Sequence, residues 1–164
     1  MEYGKEQGIR RFLTTPYTPQ QNVVAERKNR NILDVVWSML KRKKMPKEFW
    51  TEAVQCAIHV QNRFPHVKLD DQIPQEAWSG QKSIVSHLKV FGSVAYAHVL
   101  DQWKTKLEDK SKRYIFIGYD EKTKGYKLVE PISKKVMVSR DVRINEASEW
   151  DWNNSSEVMI EVGE

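Results

Sequence analysis

The apolar residues of this chain change period near Ile84, and no other feature limits its fold as strongly. Before that point they recur at i, i+3, i+4 and i+7. After it they alternate in short runs bounded by Gly, Pro and Asp. A helical period cannot settle as a strand, nor an alternating one as a helix. Long helices are therefore expected first and a small sheet second, an α+β chain.

In the first half, one helix is expected from about Asn22 to Lys43. Projected at about 100° per residue, Ile32, Leu33, Val36, Trp37, Met39 and Leu40 form a broad apolar stripe. Arg27, Asn31, Ser38, Lys41 and Arg42 face away from it, while Glu26 and Arg30 sit one turn apart on its border. The run Lys41-Arg42-Lys43-Lys44 closes the helix. Cations there complement the negative end of the helix dipole or contact a nucleic acid, and both readings stand. Pro46 opens a second helix with Phe49, Trp50, Ala53, Val54, Ala57 and Ile58 at helical spacing, ended near Arg63 by Phe64-Pro65. Cys56 and His59 lie on it and read as structural. Residues 66–73 read as a loop, and Pro74 to Gly80 as one or two helical turns.

In the second half, strands are expected at Val90–Val99, Tyr114–Tyr119, Tyr126–Val129 and Val136–Val142. Residues 100–112 read as a charged loop and Asp120–Gly125 as a turn. Four or five short strands at this spacing argue for a small barrel over residues 86–145. At the other end, residues 2–7 read as the end of a helix capped by Gly8, and residues 9–14 as a strand. One helical turn and one strand cannot bury a sheet, so the chain is expected to begin within a domain.

Composition narrows the partners. No apolar run approaches the roughly 20 residues of a membrane span, and the N-terminus lacks a signal-peptide core, so no membrane partner is expected. A single cysteine excludes an internal disulfide and suits a reducing, intracellular setting. The four histidines are scattered, with no zinc-type spacing. Residues 1–145 hold 27 basic and 16 acidic side chains, a net of +11, whereas residues 146–164 hold six acidic and no basic ones. A basic body suggests a polyanion, though charge alone does not name it. The acidic end reads as a flexible tail.

One stretch carries more specific information: Thr14-Thr15-Pro16-Tyr17-Thr18-Pro19-Gln20-Gln21-Asn22-Val23-Val24-Ala25-Glu26-Arg27-Lys28-Asn29-Arg30. Pro16 and Pro19 hold a polar loop out of helical geometry. That loop runs straight into a helix with one carboxylate, Glu26, near its entrance. The stretch resembles the last catalytic block of the integrases of Ty1/copia-type LTR retrotransposons. Leu88-Lys89-Val90-Phe91-Gly92-Ser93, Phe116-Ile117-Gly118-Tyr119, Lys124-Gly125-Tyr126 and Val138-Ser139-Arg140-Asp141-Val142 resemble the SH3-like domain that follows that core in copia-type Pol polyproteins.

The resemblance implies three regions. Residues 1–80 would be the C-terminal part of an RNase H-like integrase core with connecting helices. Residues 86–145 would be the SH3-like barrel, and residues 146–164 the acidic tail. It implies that Glu26 is a catalytic residue and metal ligand, the last of an Asp, Asp, Glu set whose two aspartates lie upstream of Met1. Asp34 is no substitute, being two turns further along the same helix on another bearing. The cofactor implied for the intact parent is Mg²⁺ or Mn²⁺, activating and stabilising oxygens in phosphoryl transfer. One carboxylate is not expected to hold it stably here. DNA is the implied partner, through Tyr17, Gln21, Asn22, Arg27, Arg30, Lys41 and Arg42, with self-association of integrase chains beside it. A functional protein would act in the nucleus. Where the family has Gly after the Asn, this chain has Val23, which resists the mobile, positive-φ backbone that Gly permits. The expected function is that of an integrase fragment, inactive alone. The alternatives are a non-catalytic module binding DNA, RNA or protein, and a structural remnant.

Overall fold

In a computed structural model, the structure describes residues 15, 22–66, 69, 72–98 and 111–153. The helix and strand expected within residues 2–14, and the loop residues Tyr17 and Gln21, lie outside them. The chain forms two compact units, Met1–Asn31 and Ile32–Glu164. The described part of the first is essentially the opening of helix α1 (Val23–Arg42), whose remainder belongs to the second. Also in the second unit are a 3-10 turn (Lys47–Phe49), α2 (Trp50–Gln61), α3 (Pro74–Ser79) and five strands. The strands are β1 (Val94–His98), β2 (Ser111–Asp120), β3 (Gly125–Val129), β4 (Val136–Ser139) and β5 (Val142–Asn145). They form one antiparallel sheet, so the described residues are mixed α and β. An RNase H-like sheet is not seen among them.

The C-terminus of α1 shows how local chemistry sets an element boundary. Lys44 turns left-handed at φ 49°, its N–H donates to Lys41 O at 3.2 Å, and Met45 N–H donates to Leu40 O at 2.9 Å. These are the two bonds of a Schellman cap, completed by the apolar pair Leu40 and Met45, both buried. Lys41 and Arg42 in the last turn face the negative end of the dipole, as the sequence leads one to expect. Of the expected stripe, Val36 and Leu40 are buried and Ile32 and Met39 partly so. Leu33 and Trp37 are each 48% exposed, and with Trp50 they line a shallow apolar groove.

Sheet connectivity forces a rolled shape. The strand order is β4-β3-β2-β1-β5, so β4 and β5 lie at opposite edges. Only Arg140 and Asp141 separate them in sequence. The edges of a flat five-stranded sheet would lie about 19 Å apart, whereas the three residue steps from Ser139 to Val142 reach at most about 11 Å. The sheet therefore curls until its edges approach. Its inner face gathers side chains from every strand: Ala95 and Ala97, Tyr114 and Phe116, Leu128, Met137, then Val142 and Ile144. The long β2 pairs with β1 up to Ile115 and with β3 from Ile115 onward, and a register shift between Phe116 and Gly118 interrupts the β2–β3 ladder.

The strand run expected at Val136–Val142 is thus two strands. It bends at Asp141, where Val142 N–H donates to Arg140 O at 3.1 Å, and it changes partner from β3 to β1. Two further boundaries shift. β2 begins at Ser111, inside the expected loop 100–112. Val90–Ser93 is a turn rather than strand, held to β2 by Gly92 N–H to Phe116 O (2.8 Å) and Phe116 N–H to Ser93 O (2.9 Å).

The outer face of the sheet carries the second core. Phe91, Val94, Ile115, Ile117 and Val129 are buried together with Val36, Leu40, Met45, Phe49, Ala53, Cys56 and Ala57. The small side chains Ala53, Cys56 and Ala57 let α2 approach β2 closely, and all three are essentially inaccessible. Helices and sheet therefore share one core across the expected division between residues 80 and 86. Residues 146–153, expected as flexible tail, are packed onto it. Trp150 and Trp152 lie against the core, with the Trp152 and Phe49 rings 5.5 Å apart. Two indoles supply the apolar surface that a charge-rich tail lacks, which is why the acidic composition misleads here.

Candidate nucleic-acid interface

Glu26 lies in the first turn of α1 and is exposed, as are Asn22, Arg27 and Arg30, all in the first compact unit. Val23 is the first residue of that helix and has no positive φ. Lys41 and Arg42, in the second unit, are exposed in the last turn. Among the described residues, Arg27, Arg30, Lys41 and Arg42 make no side-chain hydrogen bond or ion pair. Lys41 and Arg42 complement the negative end of the helix dipole, whereas Arg27 and Arg30 lie too near the other end to do so. No group of three His, Cys, Asp or Glu side chains among the described residues is placed to hold a metal ion.

The basic run 41–44 divides in two. Lys43 is only 5% exposed, and its Nζ donates to Glu146 O at 2.6 Å and Ser148 O at 3.1 Å. Lys44 pairs with Glu149 at 3.3 Å. Lys43 thus clasps the 146–153 segment against the end of α1, Lys44 pairs with it at the surface, and within this run Lys41 and Arg42 are left without a side-chain partner. Nothing in the run itself signals this, because Lys43 and Glu146 are 103 residues apart.

A second grouping was also hidden. His59 Nε2 lies 3.4 Å from His87 Nε2, and the His59 ring stacks on Tyr119 with centroids 4.2 Å apart. Tyr119 Oη accepts from Lys89 N–H at 2.7 Å, and Tyr126 Oη donates to His87 O at 3.2 Å. Burial, the Arg63 guanidinium and His87 push His59 down to about 4. His87 is also lowered, first by burial and then by Arg63. Burial pushes the Cys56 thiol up to about 12 and raises the Tyr119 phenol as well. A buried protonated thiol is a poor nucleophile. Cys56 is thus buried in the core, whereas His59 is half-buried and belongs to a polar cluster that fastens α2 to the loop before β1.

Residues 93–158 match the family model of the retroviral polymerase SH3-like domain. Over 146 residues, 89% of its length, the chain is 51% identical to the retrovirus-related Pol polyprotein from transposon TNT 1-94 of Nicotiana tabacum. This chain is a relative of the copia-type transposon Pol polyproteins. Two Arabidopsis thaliana relatives, the Pol polyproteins from transposons RE2 and RE1, are 33% and 30% identical over 145 residues, 88% of the chain. The match spans about a tenth of each polyprotein: 11% of the tobacco one and 10% of the other two. In this Pol-type segment the SH3-like match takes in all five strands and continues through the Trp150–Trp152 segment, which is therefore part of the folded domain.

Proposed function

We propose that this chain is a segment of a copia-type integrase region: the last helix of the catalytic core, joined to an SH3-like barrel. In the intact polyprotein such a region would join element DNA to target DNA. The segment alone would bind nucleic acid without chemistry. The observation that carries this reading is Glu26, an exposed carboxylate in the first turn of α1 inside the Thr14–Arg30 stretch. The nearby Arg27 and Arg30, without internal partners, support a phosphate-bearing substrate. The tobacco relative, more than half identical over most of the chain, supports the Pol context.

The test is a gel assay of labelled DNA ends with Mg²⁺ or Mn²⁺. The 164-residue chain is expected to join no ends. Fused to an upstream Pol segment bearing two aspartates, it should gain joining activity, and Glu26→Gln should abolish it by removing a charge while keeping size. Activity in the fused protein that survives Glu26→Gln would overturn the assignment of Glu26. Metal-dependent joining by the unextended chain would overturn the fragment reading.

A further inference from the structure

On the outer surface of the barrel one cross-strand row differs from its neighbours. Tyr96 of β1 pairs in register with Arg113 of β2 on one side and with Arg143 of β5 on the other. Residues directly opposite in antiparallel strands project from the same face, so an Arg-Tyr-Arg row crosses three adjacent strands. The next row on that face holds Ile115, Val94 and Asn145, and its two apolar members are buried in the core shared with the helices. The Tyr96 row emerges from that cover: Arg113 and Arg143 are exposed and Tyr96 is half-buried. Among the described residues none of the three makes a side-chain hydrogen bond or ion pair. With strands about 4.8 Å apart, the two arginine Cα atoms are about 10 Å apart with the ring between them.

An open groove continues from this row along β5, lined by Lys89, Tyr96, Arg143, Asn145, Glu146 and Asp141. One Glu146 oxygen is already engaged, accepting from Val90 N–H at 3.1 Å. Asp141 sits at the β4–β5 bend, so the cationic part of the groove is the end at Lys89, Tyr96 and Arg143. Two guanidiniums without internal partners, on the strands that flank β1, place like charges on either side of one ring. They suit a ligand that carries spaced anions and a flat face.

We propose that Arg113, Tyr96 and Arg143 form a binding platform for single-stranded nucleic acid, the arginines engaging successive phosphates and Tyr96 stacking on an unpaired base. This rests on the nucleic-acid reading above and moves the main contact from α1 to the barrel. A single strand is favoured because a duplex hides its base faces, leaving Tyr96 nothing to stack on.

The experiment is fluorescence anisotropy of a labelled oligothymidylate and a duplex of equal length with the whole chain, at two salt concentrations. Thermal melts confirm that each variant is folded. Expected are tighter binding of the single strand and a loss of about tenfold for Tyr96→Leu, with Tyr96→Phe near wild type. The double variant Arg113→Ala/Arg143→Ala should weaken binding and lower the single-strand salt slope by about 1.4. Because Tyr96 is half-buried, the exposed Arg143→Glu serves as a check that does not disturb packing, and it too should weaken binding. If the row variants bind as wild type while Ala at Arg27, Arg30, Lys41 and Arg42 abolishes binding, the platform is wrong and the nucleic-acid reading survives. Equal affinity for duplex and single strand, or a folded Tyr96→Leu that binds normally, overturns the stacking role. No binding to either probe by wild type overturns both readings.

Discussion

Replacing Gly92 with Ala should cost far more than a single methyl suggests. Gly92 has a φ of 80°, in the left-handed region, where an L side chain costs about 1–2 kcal/mol. It also passes against the Schellman cap of α1. A Cβ at Gly92 would lie 2.6 Å from Lys43 Cβ and 2.9 Å from Met45 Cγ. Lys43 Cβ is fixed by its own backbone, so the clash is relieved only by separating the β1 lead-in from the helix end. Overpacking of this kind adds about 1–3 kcal/mol. The total is about 2–5 kcal/mol, a large share of the roughly 5–15 kcal/mol that holds a domain together. Gly80 provides the control. Its φ is 68°, but nothing lies within 4 Å of a Cβ built there, so Gly80→Ala should cost only the backbone contribution, about 1–2 kcal/mol. The assay is urea unfolding followed by tryptophan fluorescence and far-UV circular dichroism, with linear extrapolation. A loss for Gly92→Ala no greater than for Gly80→Ala would refute the close contact between the α1 cap and the sheet.

Two more predictions concern the polar groups between helices and sheet. Lys43→Met keeps the stem but removes the ammonium that two carbonyls share, and should cost about 2 kcal/mol while raising amide exchange at residues 146–152; an unchanged urea midpoint would show that the clasp contributes nothing. His59 is held at about 4 in the fold against an ordinary 6.5, so between these values the unfolded state binds the extra proton. The stability this gives is complete above about 6.5 and is lost as pH falls towards about 4, on the order of 1 kcal/mol after discounting for the half-exposed ring. His59→Gln should flatten that part of the urea-midpoint profile, and a slope identical to wild type would remove His59 as its source.

What the sequence determined lies close together along the chain. The 3.6-residue period fixed α1 and α2 to within a few residues, because a helix bonds only to itself. Pro74 and Gly80 marked both ends of α3, and Asp120–Gly125 marked the β2–β3 turn, for the same reason. The Thr14–Arg30 stretch and the strand motifs led to the Pol relatives, since a long motif survives without its surroundings. The tertiary structure decided whatever depends on a distant partner. Val136–Val142 reads as one strand, yet it splits at Arg140–Asp141 because β3 and β1 offer edges in different places. Lys43 reads as one more surface cation, and only the carbonyls of Glu146 and Ser148 make its burial tolerable. His59 meets His87, and Tyr96 comes to lie between Arg113 and Arg143, through pairings between separate elements. A side chain's period shows which way it faces along its own element, but what it faces is set by long-range packing.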